Sequence, residues 1–496
     1  MRNSAKPLFI AAAICALATV NPAADTKPVR MLDPNLTVST LINTGLVQPI
    51  GIVFLGANDF LVLEKASGQV KRVTGGIVQA TPVLDLAVNS NSERGLLSLV
   101  LHPDFPATPW VYVRWTESST GIDTTSVLQV PLLGNRVDRY IWNGTSLTWD
   151  RNIISLRALQ TDNLVAGGHT GTNNPGNPAG NHNGGVLRFG PDGKLYLFMG
   201  DQGRRGWMQN LANGPFETAP FVDDTYGGPE PDNAHLSGVI LRLNDDGTTP
   251  SDNPFFAAGA AIGGEEVGPN IQKVFSYGHR NAFGMAFDPY SGFLWETENG
   301  DDSFAELNRV VAGMNGGWIQ MMGPQYRFFD FKDIEVNEFG RNLQQARFPP
   351  TRLAIDPGDA RDHLFMLPGA KYVDPELSWK YESGPAGTTF VRGTSLGAEN
   401  DGTLWIGSSR AFAQVGGTGG SLFRLKLTRN RLKVDVNDAR LADRVADNLT
   451  KFGPDESESL LVGEGFGTTP SIEQGPDGNL YVVSITDGAI YVISRK

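Results

Sequence analysis

A short motif, in which a tight turn precedes an apolar strand, recurs along this chain and limits the folds it can adopt. Residues that favour turns come before a run of apolar positions rich in aromatic and β-branched side chains, which is the pattern of a short strand in an all-β protein. Six copies occur, at residues 57–63, 109–113, 191–197, 289–295, 400–406 and 476–482. This repetition predicts an all-β fold, a six-bladed β-propeller with one copy in each blade.

Several copies precede a second strand, as at residues 68–73, 420–425 and 488–493, which favours consecutive antiparallel strands within a blade. The chain has 59 Gly and 31 Pro among 496 residues without a period, a composition that predicts many turns. Six blades need only roughly 240–300 residues. We therefore expect long loops, the largest at residues 203–236 and 321–376, to wall a cleft on the upper face of the propeller.

The N-terminus has the pattern of a cleaved secretory signal. Arg2 and Lys6 precede an apolar run over residues 8–20, and small residues follow it. We predict a signal peptide at residues 1–24, a single propeller domain at residues 25–496, and a periplasmic or secreted location. Cys15 is the only cysteine and lies in the signal, so the mature protein has no thiol for disulfides or catalysis.

The net charge of the chain is −12, so nucleic acid is an unfavourable partner because its phosphates would be repelled. No later apolar run has the length needed to span a bilayer, and we expect no membrane span. No glycine-rich fingerprint for a nicotinamide cofactor precedes a helix. Small neutral molecules are the partners that this composition favours.

His182 is the first candidate catalytic residue. Residues 180–196 read GNHNGGVLRFGPDGKLY, which places an imidazole among small residues just before a strand, turn and strand. A lone loop histidine most often has a structural role. Imidazole, with an ordinary pKa of about 6.5, is also suited to take a proton from a hydroxyl group.

Two further segments carry candidate site residues. Residues 278–281 read GHRN and supply Arg280 and Asn281, a pair that could also simply cap a turn. Residues 296–308 read ETENGDDSFAELN and contain five carboxylates. Such a segment is either a solvated acidic loop or a site for a hard cation.

These three segments, together with residues 95–105 (GLLSLVLHPDF), resemble the glucose/sorbosone dehydrogenase family, the soluble quinoprotein sugar dehydrogenases that use pyrroloquinoline quinone (PQQ) and calcium. The resemblance implies that His182 is the catalytic base, that Arg280 stabilises the anion on the quinone, and that Asn281 helps to hold the cofactor. It places the catalytic calcium on the backbone carbonyls of Gly300 and Asp301, and a further structural calcium at Glu306.

Three departures from the family pattern concern cofactor binding. Glu93 stands where many members have glutamine, and Asn181 stands where better-studied members have an acid before the histidine. Thr468 and Thr469 replace an Arg-x-Arg segment that grips the cofactor carboxylates, and changing both to arginine should strengthen PQQ binding. Arg410, near the position of a cofactor-gripping lysine, is expected to compensate in part.

The favoured interpretation is an exported PQQ- and calcium-dependent dehydrogenase that oxidises an aldose sugar to its lactone and passes the electrons to a soluble acceptor. Two alternatives stay open at this stage. One is a propeller of the same ancestry that lacks PQQ and acts as a binding module, and the other is a calcium-dependent lactonase on the same fold.

Overall fold

The structure is a computed structural model that describes residues 28–158, 181–202, 236–338, 354–409 and 420–496. The strands in these residues form six separate, mainly antiparallel sheets of four to six strands. We number the sheets in the order in which their first strands follow along the chain. Within each sheet the strands are given from the centre of the molecule outward.

The first three sheets contain the following strands. The first sheet has Pro49–Gly56, Asp59–Glu64, Gln69–Thr74 and Ile77–Val78, with Leu84–Asp85 also paired to the third strand. The second sheet has Leu96–Leu101, Trp110–Thr116, Asn135–Trp142 and Leu147–Leu156. The third sheet has Leu187–Phe189, Leu195–Met199, Val239–Leu243, Val274–Tyr277, Met314–Asn315 and Lys371–Tyr372.

The remaining strands form three more sheets. The fourth sheet has Ala282–Phe287, Leu294–Glu298, Ala305–Val310, Leu377–Trp379 and Val445–Ala446. The fifth sheet has Pro385–Phe390, Leu404–Ser408, Leu422–Leu427, Leu461–Glu464 and Arg30–Met31, with Val434–Asp435 on the edge of the third strand. The sixth sheet has Ser471–Gln474, Leu480–Ser484, Ala489–Arg495 and Leu36–Ile42.

The sheets stand around a common centre and close into a ring. The innermost strand of each sheet contacts the innermost strand of the next, and the sixth sheet returns to the first. A cluster of buried apolar side chains fills each of the six spaces between neighbouring sheets. Burial of these faces is the main stabilising contribution, because no sheet could cover its apolar surface alone. The predicted all-β propeller fold is confirmed.

The repeated motif has one structural position. All six predicted strands are the second strand from the centre of their sheets. The turns before two of these strands show why aspartate occurs at this place in the motif. Asp192 accepts hydrogen bonds from the backbone of Lys194 (3.1 Å) and the hydroxyl of Tyr196 (3.0 Å), and Asp477 makes the same two contacts with Asn479 and Tyr481 at the same distances. Proline, aspartate and glycine therefore build a rigid turn that sets the strand register.

Strands from the two ends of the chain complete the last two sheets. Leu36–Ile42 pairs antiparallel with Ala489–Arg495 in the sixth sheet, with Leu36 opposite Arg495. Arg30–Met31 pairs with Leu461–Glu464 in the fifth sheet. The ring is thus closed by hydrogen bonds between segments more than 400 residues apart.

Within the described residues, helices are few and lie in connections. They are α1 (Phe256–Ile262), α2 (Val267–Lys273), α3 (Phe328–Asn337) and α4 (Pro357–Asp362), with short 3₁₀ turns at Gln325–Arg327, Ala398–Asn400, Ala439–Leu441 and Glu458–Leu460. In the part of the chain that the structure describes, no helix combines the length and apolarity needed to cross a bilayer.

The two long segments predicted as loops have different outcomes. The described parts of 321–376 are partly regular, because they contain α3, α4 and the strand Lys371–Tyr372. Most of the other segment, residues 203–235, lies outside the described residues. The predicted signal peptide at residues 1–24 also lies outside them, and it stays a prediction, as does the single domain at residues 25–496.

Candidate active site

The candidate residues gather at one end of the ring. Glu93, His182, Arg280 and Thr468 each lie shortly before the innermost strand of their sheets, in the second, third, fourth and sixth sheets. Gly300 lies just after a second strand, which runs antiparallel to the first and ends at the same edge. Residues far apart in sequence are therefore neighbours around the axis.

His182 contacts a buried aspartate, which is itself held by a buried tryptophan. Its Nδ1 lies 2.5 Å from Oδ1 of Asp201, and the other oxygen of Asp201 accepts a hydrogen bond from Nε1 of Trp318 at 2.8 Å. Asp201 is fully buried, and His182 and Trp318 are 6% and 1% exposed. A carboxylate on one ring nitrogen fixes the orientation of the imidazole and leaves Nε2 to exchange a proton.

The backbone around His182 needs small neighbours. His182 has a φ of 53°, in the left-handed region that is uncommon for a residue with a side chain. Its carbonyl accepts a hydrogen bond from the backbone of Gln202 at 3.1 Å. Gly200 passes so close that an added Cβ would lie 2.2 Å from this carbonyl oxygen and 3.0 Å from Oδ1 of Asn281. Glycine is therefore required at residue 200.

Arg280 connects the histidine side of the site to the acidic segment. Its Nη1 donates to the carbonyls of Asn299 (2.9 Å) and Gly300 (2.6 Å), and its Nη2 lies 3.2 Å from Oδ1 of Asp301. The guanidinium carbon is 5.5 Å from the ring centroid of Trp318. Among the described residues, Nε of Arg280 is buried without a hydrogen-bond partner. One donor of this cation is thus left for a ligand.

Asn281 lies between the second, third and fourth sheets. Its Nδ2 donates to Oε2 of Glu93 at 3.1 Å, and its Oδ1 accepts from the backbone of Gly184 at 3.2 Å. Asn181, next to His182, has a buried Oδ1 without a hydrogen-bond partner in the described part of the chain. The structure therefore brings Glu93, Asn281 and the histidine segment together, while the role of each toward a cofactor stays a prediction.

The oxygen atoms predicted to hold calcium already contact positive charge. The Gly300 carbonyl accepts from Arg280, and the Asp301 carbonyl lies 3.4 Å from Nζ of Lys451. Lys451 also forms an ion pair with the carboxylate of Asp302. Burial lowers the pKa of Lys451 to about 8, although Asp301 acts in the opposite direction. Lys451 comes from the segment that follows Val445–Ala446 and was not a sequence candidate.

A buried group of charged residues supports the site from below. Nδ1 of His279 lies 3.1 Å from Glu298 and 3.3 Å from Glu296, and Nε2 lies 2.9 Å from the hydroxyl of Ser276. Burial alone would lower the pKa of His279, but its hydrogen bonds to Glu296 and Glu298 raise it to about 10. Glu298 also accepts a hydrogen bond from the backbone N–H of Arg280. His279 therefore acts as a structural neighbour of Arg280.

Glu306 belongs to this buried group. One of its oxygens accepts from the backbone of Gly323 at 2.5 Å and the other from Nδ2 of Asn308 at 2.9 Å. Burial, followed by repulsion from Glu298, raises the pKa of Glu306 well above its ordinary value. Both oxygens are thus engaged by N–H groups, and a structural calcium at Glu306 stays a prediction.

Two more buried carboxyl groups lie near the acidic segment. Glu382 accepts a hydrogen bond from the backbone of Gly384, and burial raises its pKa to about 8. Glu335, on α3, is fully buried, and burial followed by repulsion from Asp301 raises its pKa well above the ordinary value. Within the described residues neither oxygen of Glu335 has a hydrogen-bond partner. The site therefore contains carboxyl groups that favour the neutral form.

Thr468 and Thr469, which stand in place of the two arginines of the family pattern, differ in burial. Thr468 is half-buried and its hydroxyl lies 3.4 Å from that of Ser409, whereas Thr469 is fully buried against Gly407. Arg410 lies outside the described residues.

Sequence reasoning did not identify Asp201, Trp318 or Lys451. Asp201 could have been predicted from the sequence, because an acidic residue that directly follows a strand and a glycine lies at the edge of the sheet where the site is expected.

The sequence is similar to known sugar dehydrogenases. The profile described as Glucose / Sorbosone dehydrogenase matches residues 46–347. An uncharacterised protein of Synechocystis is 26% identical over 89% of this chain and 82% of its own length. Quinoprotein glucose dehydrogenase B of Acinetobacter calcoaceticus is 27% identical over 57% of this chain and 52% of its own length. For aldose sugar dehydrogenase YliI of Escherichia coli the identity is 26%, over 58% of this chain and 64% of that protein.

Solved structures share the fold. The apo form of the soluble aldose sugar dehydrogenase of Escherichia coli superposes with a TM-score of 0.58 at 20% identity, over 93% of this chain and 100% of that chain. The PQQ-bound aldose sugar dehydrogenase of Streptomyces coelicolor gives a TM-score of 0.54 at 21% identity, over 93% of this chain and 98% of that chain. At these identities the likeness establishes the architecture alone.

Proposed function

Because the chain belongs to the glucose/sorbosone dehydrogenase family and is similar to two proteins named as sugar dehydrogenases, we propose that it is an exported, PQQ- and calcium-dependent dehydrogenase on a six-bladed propeller. Its substrate is an aldose sugar, its product the lactone, and a soluble acceptor removes the electrons. The observation that carries this proposal is the His182–Asp201 pair beside Arg280, at the end of the ring where the candidate residues gather.

His182 is the general base of the proposed reaction. Asp201 engages Nδ1, so Nε2 takes the proton of the anomeric hydroxyl while the same carbon loses a hydride. Asp201 then stabilises the imidazolium that forms, and the indole N–H of Trp318 holds Asp201 in place. When bound, PQQ supplies the two-electron acceptor that this oxidation requires.

The residues around Arg280 fit an anionic quinone. The unpartnered Nε of Arg280 is a buried cationic donor, and the indole of Trp318 lies beside the guanidinium group. Arg280 would stabilise negative charge on a quinone oxygen, and Asn281, oriented by Glu93, would hold the cofactor through its amide. Arg410 is proposed as a further cation for a cofactor carboxylate.

The donor set at Gly300 and Asp301 fits calcium in its chemistry. These carbonyl oxygens are hard ligands, and they already attract two cationic side chains. When bound, calcium supplies positive charge that polarises a carbonyl group. Glu306 is retained as a proposed ligand of a separate structural calcium.

The proposal is tested by adding PQQ and calcium to the purified protein. We expect a bound-quinone absorption spectrum and aldose-dependent reduction of a dye, both lost with EGTA and restored by calcium. Lactone hydrolysis is measured in the same samples. Quinone-independent lactone hydrolysis would replace the dehydrogenase with the lactonase, and an absence of both quinone binding and hydrolysis would leave a binding module.

A further inference from the structure

Lys451 places an ammonium group among the oxygens proposed for calcium. Its Nζ lies 3.4 Å from the Asp301 carbonyl and pairs with the carboxylate of Asp302. The side chain is about three-quarters buried, since 26% of it is exposed. Its backbone belongs to the segment between the fourth and fifth sheets, so the contact is a tertiary one rather than a local turn.

An ammonium group and a calcium ion cannot share these oxygens. Both need the same lone pairs, and two positive charges held on the same oxygens repel each other strongly where solvent is partly excluded. Arg280 is held differently, because its Nη1 also donates to Asn299. Lys451 has a flexible four-carbon stem and a compact charge, so it is the cation that can leave.

We propose that Lys451 is an intramolecular competitor of calcium, which occupies the Asp301–Asp302 oxygens in the cofactor-free protein and sets the calcium affinity of the site. This inference rests on the calcium site of the proposed function. It does not require the quinone or turnover. The ammonium neutralises the acidic segment until calcium enters, and the ion displaces it toward solvent.

Calcium titration calorimetry of the cofactor-free protein tests the competition. Lys451→Met keeps the length of the stem and removes the charge, so it should bind calcium at least about tenfold more tightly than the wild type. Lys451→Arg keeps the charge and should not gain affinity. Lys426→Met removes one positive charge from an exposed strand position and controls for net charge. Thermal unfolding confirms that each variant folds, and Lys451→Gln replaces the Met variant if that one does not.

A double variant locates the effect. Adding Asp302→Asn to Lys451→Met should reverse most of the gain in affinity, because it removes the carboxylate that the loss of Lys451 leaves free to attract calcium. Equal or weaker calcium binding by folded Lys451→Met, or no calcium binding by any variant, would overturn the competition. Calcium binding as described without any quinone binding would refute the proposed dehydrogenase and leave the role of Lys451 standing.

Discussion

Nδ1 of His182 and Oδ1 of Asp201 are 2.5 Å apart at the end of the ring where the candidate residues gather. His182 precedes the first strand of the third sheet, and Asp201 follows the second strand. The hairpin that these two strands form therefore brings the two residues together. Trp318, from the outer part of that sheet, fixes the second oxygen of Asp201. The geometry of the His182–Asp201 pair thus depends on the third sheet and on the segment that follows its fifth strand.

His182→Ala should lower turnover by about 10²–10⁴-fold, the usual contribution of a general base, while quinone binding stays nearly the same. The variant should still fold, at a lower unfolding temperature, because the buried Asp201 loses its partner. Steady-state kinetics with an aldose and calorimetry with PQQ measure the two effects. His363→Ala, at the end of α4, serves as the matched control. Full activity in His182→Ala would remove this residue from the reaction.

Asp201→Asn should also reduce turnover by roughly 10²–10⁴-fold, since an amide no longer stabilises the imidazolium. Trp318→Phe keeps an aromatic ring but removes the N–H to Asp201, and we expect a smaller loss, about tenfold. The double variant should be no worse than Asp201→Asn alone, because both changes act through the same carboxylate. Additive losses would show that Trp318 acts independently of Asp201.

Gly200→Ala should destabilise the protein by about 1–3 kcal/mol, because its Cβ would overlap the carbonyl of His182. Gly56→Ala is the matched control, since a Cβ there meets no atom within 4 Å. Urea unfolding compares the two. Equal stability of the variants would show that the backbone at His182 moves without cost.

Glu382→Gln should change how stability depends on pH. The folded-state pKa of Glu382 is raised by burial from 4.5 to about 8, so between these values the native state keeps a proton that the unfolded state has lost. Wild-type stability therefore falls as pH rises through this window, by up to about 1.4 kcal/mol per pH unit from this group.

The glutamine variant has no such proton and should show a shallower decline. Denaturant unfolding at pH 5, 6, 7 and 8 gives the difference between the two curves. Parallel curves for the two proteins would mean that Glu382 ionises normally in the folded state.

Thr468→Arg should strengthen PQQ binding by about tenfold or more, because a charge-assisted hydrogen bond to a carboxylate contributes on the order of 1.5–3 kcal/mol. Thr469 is unsuitable for the same change since it is fully buried, which corrects the expectation that both positions would accept arginine. Calorimetry with saturating calcium measures the affinity, and Thr468→Gln controls for size. An unchanged affinity would place the cofactor carboxylates elsewhere.

The fold was predictable because its signals are local. Each Pro-Asp-Gly type of turn fixes the start of a second strand through contacts within five residues, as at Asp192 and Tyr196. His182, Arg280 and Asn281 were identified from short segments that resemble the family, and these segments lie directly before innermost strands.

Trp318 and Lys451 could not be found in this way. Trp318 reaches Asp201 across 117 residues, and Lys451 reaches Asp301 across 150 residues. Tertiary structure places their segments beside these residues, and no periodicity or turn in the sequence encodes that placement. The helix α3, within a segment expected to be loop, was missed because its aromatic residues gave no clear amphipathic pattern.

The pairing of Leu36–Ile42 with Ala489–Arg495 has a consequence for biosynthesis. A growing polypeptide holds the first of these strands early, but its partner is translated more than 400 residues later. The sixth sheet cannot be finished until then, and the seam beside the first sheet stays open. Because Thr468 lies shortly before the innermost strand of that late sheet, the end of the ring that carries the candidate site is completed only after both strands have been translated. Contacts of such long sequence separation make this final step slow.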